Sequence, residues 1–177
     1  MKLAILFYSF SGNTKAAVEY IKKGWEEKGS FCRLFQLKPR KETTSFLGQC
    51  FRAARRQAAE IELADLDITS YELILFASPV WALTYTPALR GAVEKLKLKD
   101  KKAAIVLTYG SGAGKERARK ELQQDLEAKG AKVVFSGLLR GRNCCDKDYI
   151  KRELASFFKM VGNAPVAQPD RAQASGA

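Results

Sequence analysis

The chain has 177 residues, of which 46% are hydrophobic, so a single domain can bury a sizeable core. It carries 31 Lys and Arg against 19 Asp and Glu, a net charge of +12, and it contains no His. The absence of His excludes Ser-His and Cys-His nucleophilic sites, and the four Cys lack the Cys-x-x-Cys spacing of a zinc site, so we expect no metal. Such a charge favours acidic partners, nucleic acid or an anionic membrane surface, but a solvated basic surface is the interpretation we prefer, and no nucleic-acid-binding signature is present.

No apolar run approaches the ~20 residues that a transmembrane helix needs. The N-terminal segment has one Lys followed by six apolar residues, which is the length of a strand and does not match a signal peptide. Cysteines without a disulfide spacing are typical of a reducing compartment. We therefore expect a cytoplasmic protein without a transmembrane segment.

Strand-like and helix-like segments alternate along the chain. The pattern predicts strands at residues 2–8, 31–37, 73–77, 103–107 and 133–139, and helices at residues 13–28, 44–61, 86–96, 115–129 and 147–160. Continuous apolar strands separated by helices indicate a parallel sheet covered on both faces, so the predicted fold is a doubly wound α/β sandwich of three layers. Residues 1–161 form the predicted domain. Residues 162–177 lack apolar periodicity and are predicted to be a disordered tail, which resembles read-through translation of non-coding sequence.

The segment between the first strand and the first helix is the most informative in the chain. It consists of Ser9, Phe10, Ser11, Gly12, Asn13 and Thr14. The first N–H groups of a helix lack intrahelical partners and carry a partial positive charge, so they can bind a phosphate. The hydroxyl groups add further donors, and the glycine allows close approach. An ordinary helix cap is the alternative interpretation.

Two later loops also carry residues suited to a ligand. After the third strand come Ser78, Pro79, Val80 and Trp81, where the aromatic ring stands in mid-loop and could stack on a flat ligand; a core Trp is the alternative. After the fourth strand come Thr108, Tyr109, Gly110, Ser111 and Gly112, whose glycines let backbone amides face the polar edge of a ligand. A nucleotide-binding Walker A loop is excluded here, because the spacing is one residue short and Glu116 replaces the Ser or Thr.

These three loops resemble those of the flavodoxin-like family, including its short-chain flavodoxins and its FMN-dependent NAD(P)H:quinone reductases. The first loop matches the pattern [ST]-x-[ST]-G-[NT]-[ST], and the second matches S-P-[VI]-[WY]. The resemblance covers about residues 1–160 and implies a five-stranded parallel sheet of order 2-1-3-4-5 that binds its ligand at the carboxyl ends of the strands. It implies FMN as the cofactor, with the first loop on the phosphate, Trp81 on the ring and residues 110–112 on the pyrimidine side. It identifies no catalytic residue.

The implied function is electron transfer through FMN. The leading hypothesis is an NAD(P)H-dependent reductase of quinones or similar small acceptors, with NAD(P)H or an acidic redox protein as the electron donor. Two alternatives stay open: a one-electron carrier flavodoxin, and a binding or accessory module without flavin. The positive net charge predicts a higher potential for the second electron than in acidic carriers, because it stabilises the reduced, anionic flavin. The sequence does not indicate the oligomeric state.

A basic cluster lies between the second and third predicted strands. It consists of Lys38, Arg40, Lys41, Arg52, Arg55 and Arg56, with Glu42 as a counter-charge. It could receive an anionic partner such as the phosphates of NAD(P)H. The alternative is a solvated helix face, with Leu47, Phe51, Ala54 and Ala58 turned inward. The adjacent Cys144 and Cys145 could form a disulfide only with strain, so we interpret them as two small side chains before the last helix.

Overall fold

The computed structural model describes residues 1–40, 46–62 and 67–162. The strands are β1 (Leu3–Phe7), β2 (Cys32–Gln36), β3 (Leu73–Trp81), β4 (Thr84–Tyr85), β5 (Lys102–Tyr109) and β6 (Lys132–Arg140). The helices are α1 (Asn13–Glu26), α2 (Phe46–Ala54), α3 (Pro87–Lys95), α4 (Lys115–Ala128), α5 (Lys147–Glu153) and α6 (Ala155–Gly162), and a short 3-10 helix spans Gly141–Asn143. The predicted tail lies outside the described residues, apart from Gly162 at the end of α6.

Five of these strands form a parallel sheet in the order β2-β1-β3-β5-β6. The predicted doubly wound topology is confirmed, because β5 and β6 are the fourth and fifth strands of the prediction. The central strand β1 is buried throughout, and its side chains alternate between two cores: Ala4 and Leu6 face one, and Leu3, Ile5 and Phe7 face the other. Burial on both faces explains why this strand is continuously apolar.

The third strand is longer than the sequence predicts, and it continues into a hairpin. β3 runs on to Trp81, and the antiparallel β4 pairs Val80 with Tyr85 and Trp81 with Thr84. The two turn residues, Ala82 and Leu83, have φ angles of 46° and 67°. Such turns normally carry Asn or Gly, so the sequence contained no signal for this hairpin. Pro79, Val80 and Trp81 therefore lie on a strand, and the prediction of a loop at these residues was wrong.

The second helix is shorter than predicted and buries a different face. α2 ends at Ala54, and its buried residues are Gln49 and Ala53. Leu47 is 79% exposed and Phe51 58% exposed, so the prediction that they face the core was wrong, as it was for the exposed Ala54. Beyond the helix the chain packs along α3, where the N–H of Ala59 donates to the carbonyl of Pro87 at 2.9 Å. Ala58, which was also predicted to turn inward on this helix, is half-buried there.

The last predicted helix is divided in two. α5 ends at Glu153 and α6 begins at Ala155, with Leu154 between them at φ −103° and ψ 11°. Leu154 and Phe157 are both fully buried, so this bend turns apolar side chains into the core. Within residues 1–40, 46–62 and 67–162, no helix is long and apolar enough to cross a membrane.

Candidate cofactor-binding site

A cleft of about 630 Å³ opens at the carboxyl ends of β1, β3 and β5. Eleven of the fifteen predicted site residues line it: Phe10, Ser11, Asn13, Pro79, Val80, Trp81, Thr108, Tyr109, Gly110, Ser111 and Gly112. The structure adds Ala113, Gly141 and Arg142 to this lining. The four predicted residues that do not line it are Ser9, Gly12, Thr14 and Ser78. The three loops therefore converge on one cavity, whose size is typical of a small-molecule site.

The first loop presents the amino end of α1 to this cleft. Gly12 caps the helix in the left-handed conformation with φ 87°, which favours glycine. The Ser9 hydroxyl accepts a hydrogen bond from the N–H of Lys15 at 3.2 Å, so it acts as a helix cap. Within the part of the chain that the structure describes, the N–H groups of Asn13 and Thr14 have no acceptor. These unpaired donors and the exposed Ser11 hydroxyl suit a phosphate.

Two predicted hydroxyl groups are engaged inside the protein. The Thr14 and Thr108 hydroxyl oxygens lie 2.8 Å apart and are buried, which ties α1 to β5. The Ser78 hydroxyl donates to the Pro79 carbonyl or to Thr86 Oγ1, each 2.9 Å away, and accepts from the Thr86 N–H at 3.2 Å. It therefore holds the start of α3 against β3. Thr14 and Ser78 therefore stabilise the elements that form the cleft without lining it.

Aromatic side chains form one wall of the cleft. Trp81 is only 6% exposed, and its ring meets those of Tyr8 and Phe10 edge to face, at centroid distances of 5.5 and 5.7 Å. Trp81 packs on the core, as the alternative interpretation has it, and it also lines the cleft. Phe10 is 48% exposed and stands beside it. A flat aromatic ligand can pack on this wall.

The β5–α4 loop faces this wall and contacts the hairpin. Gly112 and Gly114 have φ angles of 88° and 71°. A Cβ atom on Gly114 would lie 2.6 Å from the Cα atom of Leu83, so only glycine lets the loop and the hairpin tip pack this closely. Lys115 Nζ lies 4.5 Å from the centre of the Tyr109 ring, in a cation–π contact at the edge of the site.

Charged side chains of α3 and α4 form a network that supports the β3–β4 hairpin. Arg90, on α3, is buried and donates to Glu121 at 2.7 Å, to Asp125 at 3.2 Å and to the Thr84 hydroxyl at 3.2 Å. The Tyr85 hydroxyl donates to Asp125, and burial raises the pKa of this tyrosine well above its usual value. The sequence contained no local signal for this network, because its members come from three elements.

Gly141 and Arg142 enter the cleft from the corner after β6. Gly141 is buried, and a Cβ atom there would lie 2.9 Å from Asn13 Nδ2. Arg142 is exposed, and among the residues that the structure describes it is the one charged residue that lines the cleft. Sequence reasoning missed both, although their place directly after a strand of the parallel sheet was the available signal. Within the described residues, no group of three His, Cys, Asp or Glu side chains could hold a metal ion.

The donor set of the cleft fits FMN. Unpaired helix N–H groups and hydroxyls suit the phosphate, the aromatic wall suits the flavin ring, and the guanidinium supplies a counter-charge. The family model of NADPH-dependent FMN reductases matches residues 1–141, and the chain belongs to that family. FMN is its cofactor. This result does not support the alternative without flavin.

Solved structures show the same fold. A flavoprotein in complex with FMN from Lactobacillus acidophilus is 23% identical, with a TM-score of 0.62 over 80% of this chain and 95% of that chain. A putative flavoprotein from Bacteroides uniformis is 18% identical, with a TM-score of 0.69 over 87% of this chain and 97% of that one. Oxidised Flavodoxin 1 from Bacillus cereus is 18% identical, with a TM-score of 0.59 over 93% and 99%. No curated protein matches the chain.

Proposed function

We propose that this chain is an FMN-dependent oxidoreductase that takes electrons from NAD(P)H and passes them to a quinone or a similar small acceptor. The observation that carries the proposal is the open aromatic cleft at the carboxyl ends of the strands, in a member of the NADPH-dependent FMN reductase family. Bound FMN supplies the hydride-transfer chemistry, and the protein binds and orients the reactants. A cytoplasmic location belongs to the same proposal, and the four free cysteines support it.

The proposed roles of the residues follow from their positions. The N–H groups of Asn13 and Thr14 and the Ser11 hydroxyl bind the phosphate. Trp81 and Phe10 orient the flavin ring. The backbone of residues 110–112 meets the pyrimidine edge. Ser9, Gly12, Thr14 and Ser78 give the surrounding loops their shape through the contacts described above.

The ion pairs of Arg40 and Arg56 favour an NAD(P)H site outside the basic cluster. Arg40 forms ion pairs with Glu60 at 3.0 Å and Glu62 at 3.2 Å, and Arg56 pairs with Glu121 at 3.0 Å. Lys41 and Glu42 lie outside the described residues. Because two cations of the cluster are neutralised, the cleft itself is the better place for the donor and the acceptor to meet the flavin.

The first experiment is a titration of the apoprotein with FMN, followed by flavin fluorescence, and then an anaerobic assay of NADPH oxidation with a quinone as acceptor. We expect saturable binding and quinone-dependent turnover. Phe10→Ala should weaken FMN binding about 2- to 10-fold through the lost ring contact. Phe31→Ala is the matched control, because Phe31 is exposed but does not line the cleft.

Two results would contradict the proposal. Failure to bind FMN would remove its basis. FMN binding without NADPH oxidation, together with rapid one-electron exchange with acidic redox proteins, would show a carrier flavodoxin.

The reduction potential of the flavin also distinguishes a reductase from a carrier flavodoxin. Among the described residues, the cleft lining contains Arg142 and no carboxylate, which supports a raised potential for the second electron. A potentiometric titration that finds a strongly low potential would contradict that expectation.

A further inference from the structure

The corner that follows β6 is held firmly beside the amino end of α1. The N–H of Arg140 donates to the Tyr149 hydroxyl oxygen at 2.7 Å, and Cys144 Sγ donates to the Arg140 carbonyl at 3.6 Å. Gly141 packs so closely on Asn13 that a Cβ atom would lie 2.9 Å from its side-chain nitrogen. Arg142 directly follows Gly141 in the chain, so it lies next to the residue that contacts the amino end of α1, where the N–H groups are unpaired.

The guanidinium of Arg142 is available for a ligand. Arg142 is exposed, lines the cleft and has no hydrogen bond or ion pair to any residue that the structure describes. The thirteen other described residues of the lining are uncharged. A phosphate monoester carries a charge of about −1.5 to −2 near pH 7, and a guanidinium adds a full positive charge to the partial charge of the helix end. A guanidinium binds phosphate oxygens through two parallel N–H groups and is the best matched side chain for that group.

We propose that Arg142 forms an ion pair with the 5′-phosphate of FMN and sets the preference of this protein for FMN over riboflavin. The inference rests on the proposed function only for the presence of flavin in the cleft. A phosphate could also reach Arg142 from NADPH. The contact between Gly141 and Asn13 favours the FMN phosphate, because it brings the corner to the helix end where that phosphate is expected.

The test compares Arg142→Gln with the control Arg152→Gln. Both remove one positive charge, but Arg152 pairs with Glu153 at 3.2 Å and does not line the cleft. The dissociation constants of the apoproteins for FMN and for riboflavin are measured by fluorescence quenching, without NADPH. We expect Arg142→Gln to weaken FMN binding about 10- to 100-fold and to leave riboflavin binding unchanged. Arg152→Gln should change neither constant, and Arg142→Lys should restore part of the preference.

Salt supplies a second readout. The ratio of FMN affinity to riboflavin affinity should fall with ionic strength in the wild type and fall less steeply in Arg142→Gln, because screening weakens an ion pair that only the wild type has. Thermal unfolding of the apoproteins verifies that the variant folds.

Three outcomes would overturn the inference. Equal loss of FMN and riboflavin affinity would place Arg142 at the ring. Unchanged FMN affinity with a raised KM for NADPH but not for NADH would assign Arg142 to the nucleotide phosphate. A wild type that binds FMN and riboflavin equally well would show that no residue sets the preference. If the wild type prefers FMN through Arg142 but does not oxidise NADPH, the proposed function is refuted and the inference about Arg142 stands.

Discussion

The buried hydroxyl pair of Thr14 and Thr108 gives a quantitative test of how the phosphate loop is held. The two oxygens lie 2.8 Å apart, and the residues are 1% and 2% exposed. The bond joins the first turn of α1 to β5, so it sets the position of the unpaired helix N–H groups relative to the rest of the cleft.

The expected magnitude follows from this burial. Thr14→Val keeps the shape of the side chain but leaves the Thr108 hydroxyl without its protein partner at a position that is 2% exposed. An orphaned buried polar group costs about 1–3 kcal/mol. For a chain of this size that lowers Tm by about 2–4 °C per kcal/mol. Replacement of both threonines by Val removes both polar groups, so the double variant should recover most of the lost stability.

The assay is a double-mutant cycle measured by urea unfolding of the apoprotein, combined with FMN titration of each variant. We expect each single variant to lose stability and the double variant to lose clearly less than the sum. Because the Thr14 hydroxyl faces Thr108, the double variant should bind FMN within a few-fold of the wild type. Additive losses would refute the reasoning about the orphaned hydroxyl. A tenfold loss of FMN affinity in the double variant would show that one of these hydroxyls contacts the ligand.

Three further predictions concern the framework around the cleft. Ala82→Asn combined with Leu83→Gly should raise the free energy of unfolding by about 1 kcal/mol, because Asn and Gly tolerate the positive φ angles of these two positions. Urea unfolding measures the gain. A loss of stability would mean that the packing of the Leu83 side chain outweighs the backbone strain. Arg90→Met should destabilise the protein by about 3 kcal/mol, since Asp125 loses its ion pair and Glu121 keeps only the one with Arg56; an unchanged Tm would contradict this. Burial raises the pKa of Cys32 to about 12, so its contribution to stability is complete below pH 9 and is lost as the pH rises toward 12. The decline should be smaller in Cys32→Ala, and the exposed Cys145 should react with a thiol reagent before the buried Cys32 does.

Much of the fold could be predicted from the sequence because its information is local. In β1, five successive apolar residues indicate burial on both faces, which is typical of a strand in the interior of a covered sheet. Gly29 follows the end of α1 and Gly130 follows the end of α4. Both glycines have a positive φ angle, as glycine often does after a helix. The strand-end rule for parallel sheets then brought eleven predicted residues to one cleft, although their binding roles stay predictions.

The amino-acid sequence by itself determined the alternation of strands and helices, the sheet order through the family resemblance, and the loops that meet at the cleft. Only the tertiary structure decided the hairpin at Ala82 and Leu83, the outward face of α2 and the entry of Arg142 into the cleft. The reason is physical. The pattern of apolar residues along a segment indicates how much of that segment is buried. The strained turn at Ala82 and Leu83 and the position of Arg142 depend instead on contacts between segments that are distant in sequence. Here the pairing of β4 with β3 and the ion pairs of Arg90 offset a turn that its own residues disfavour.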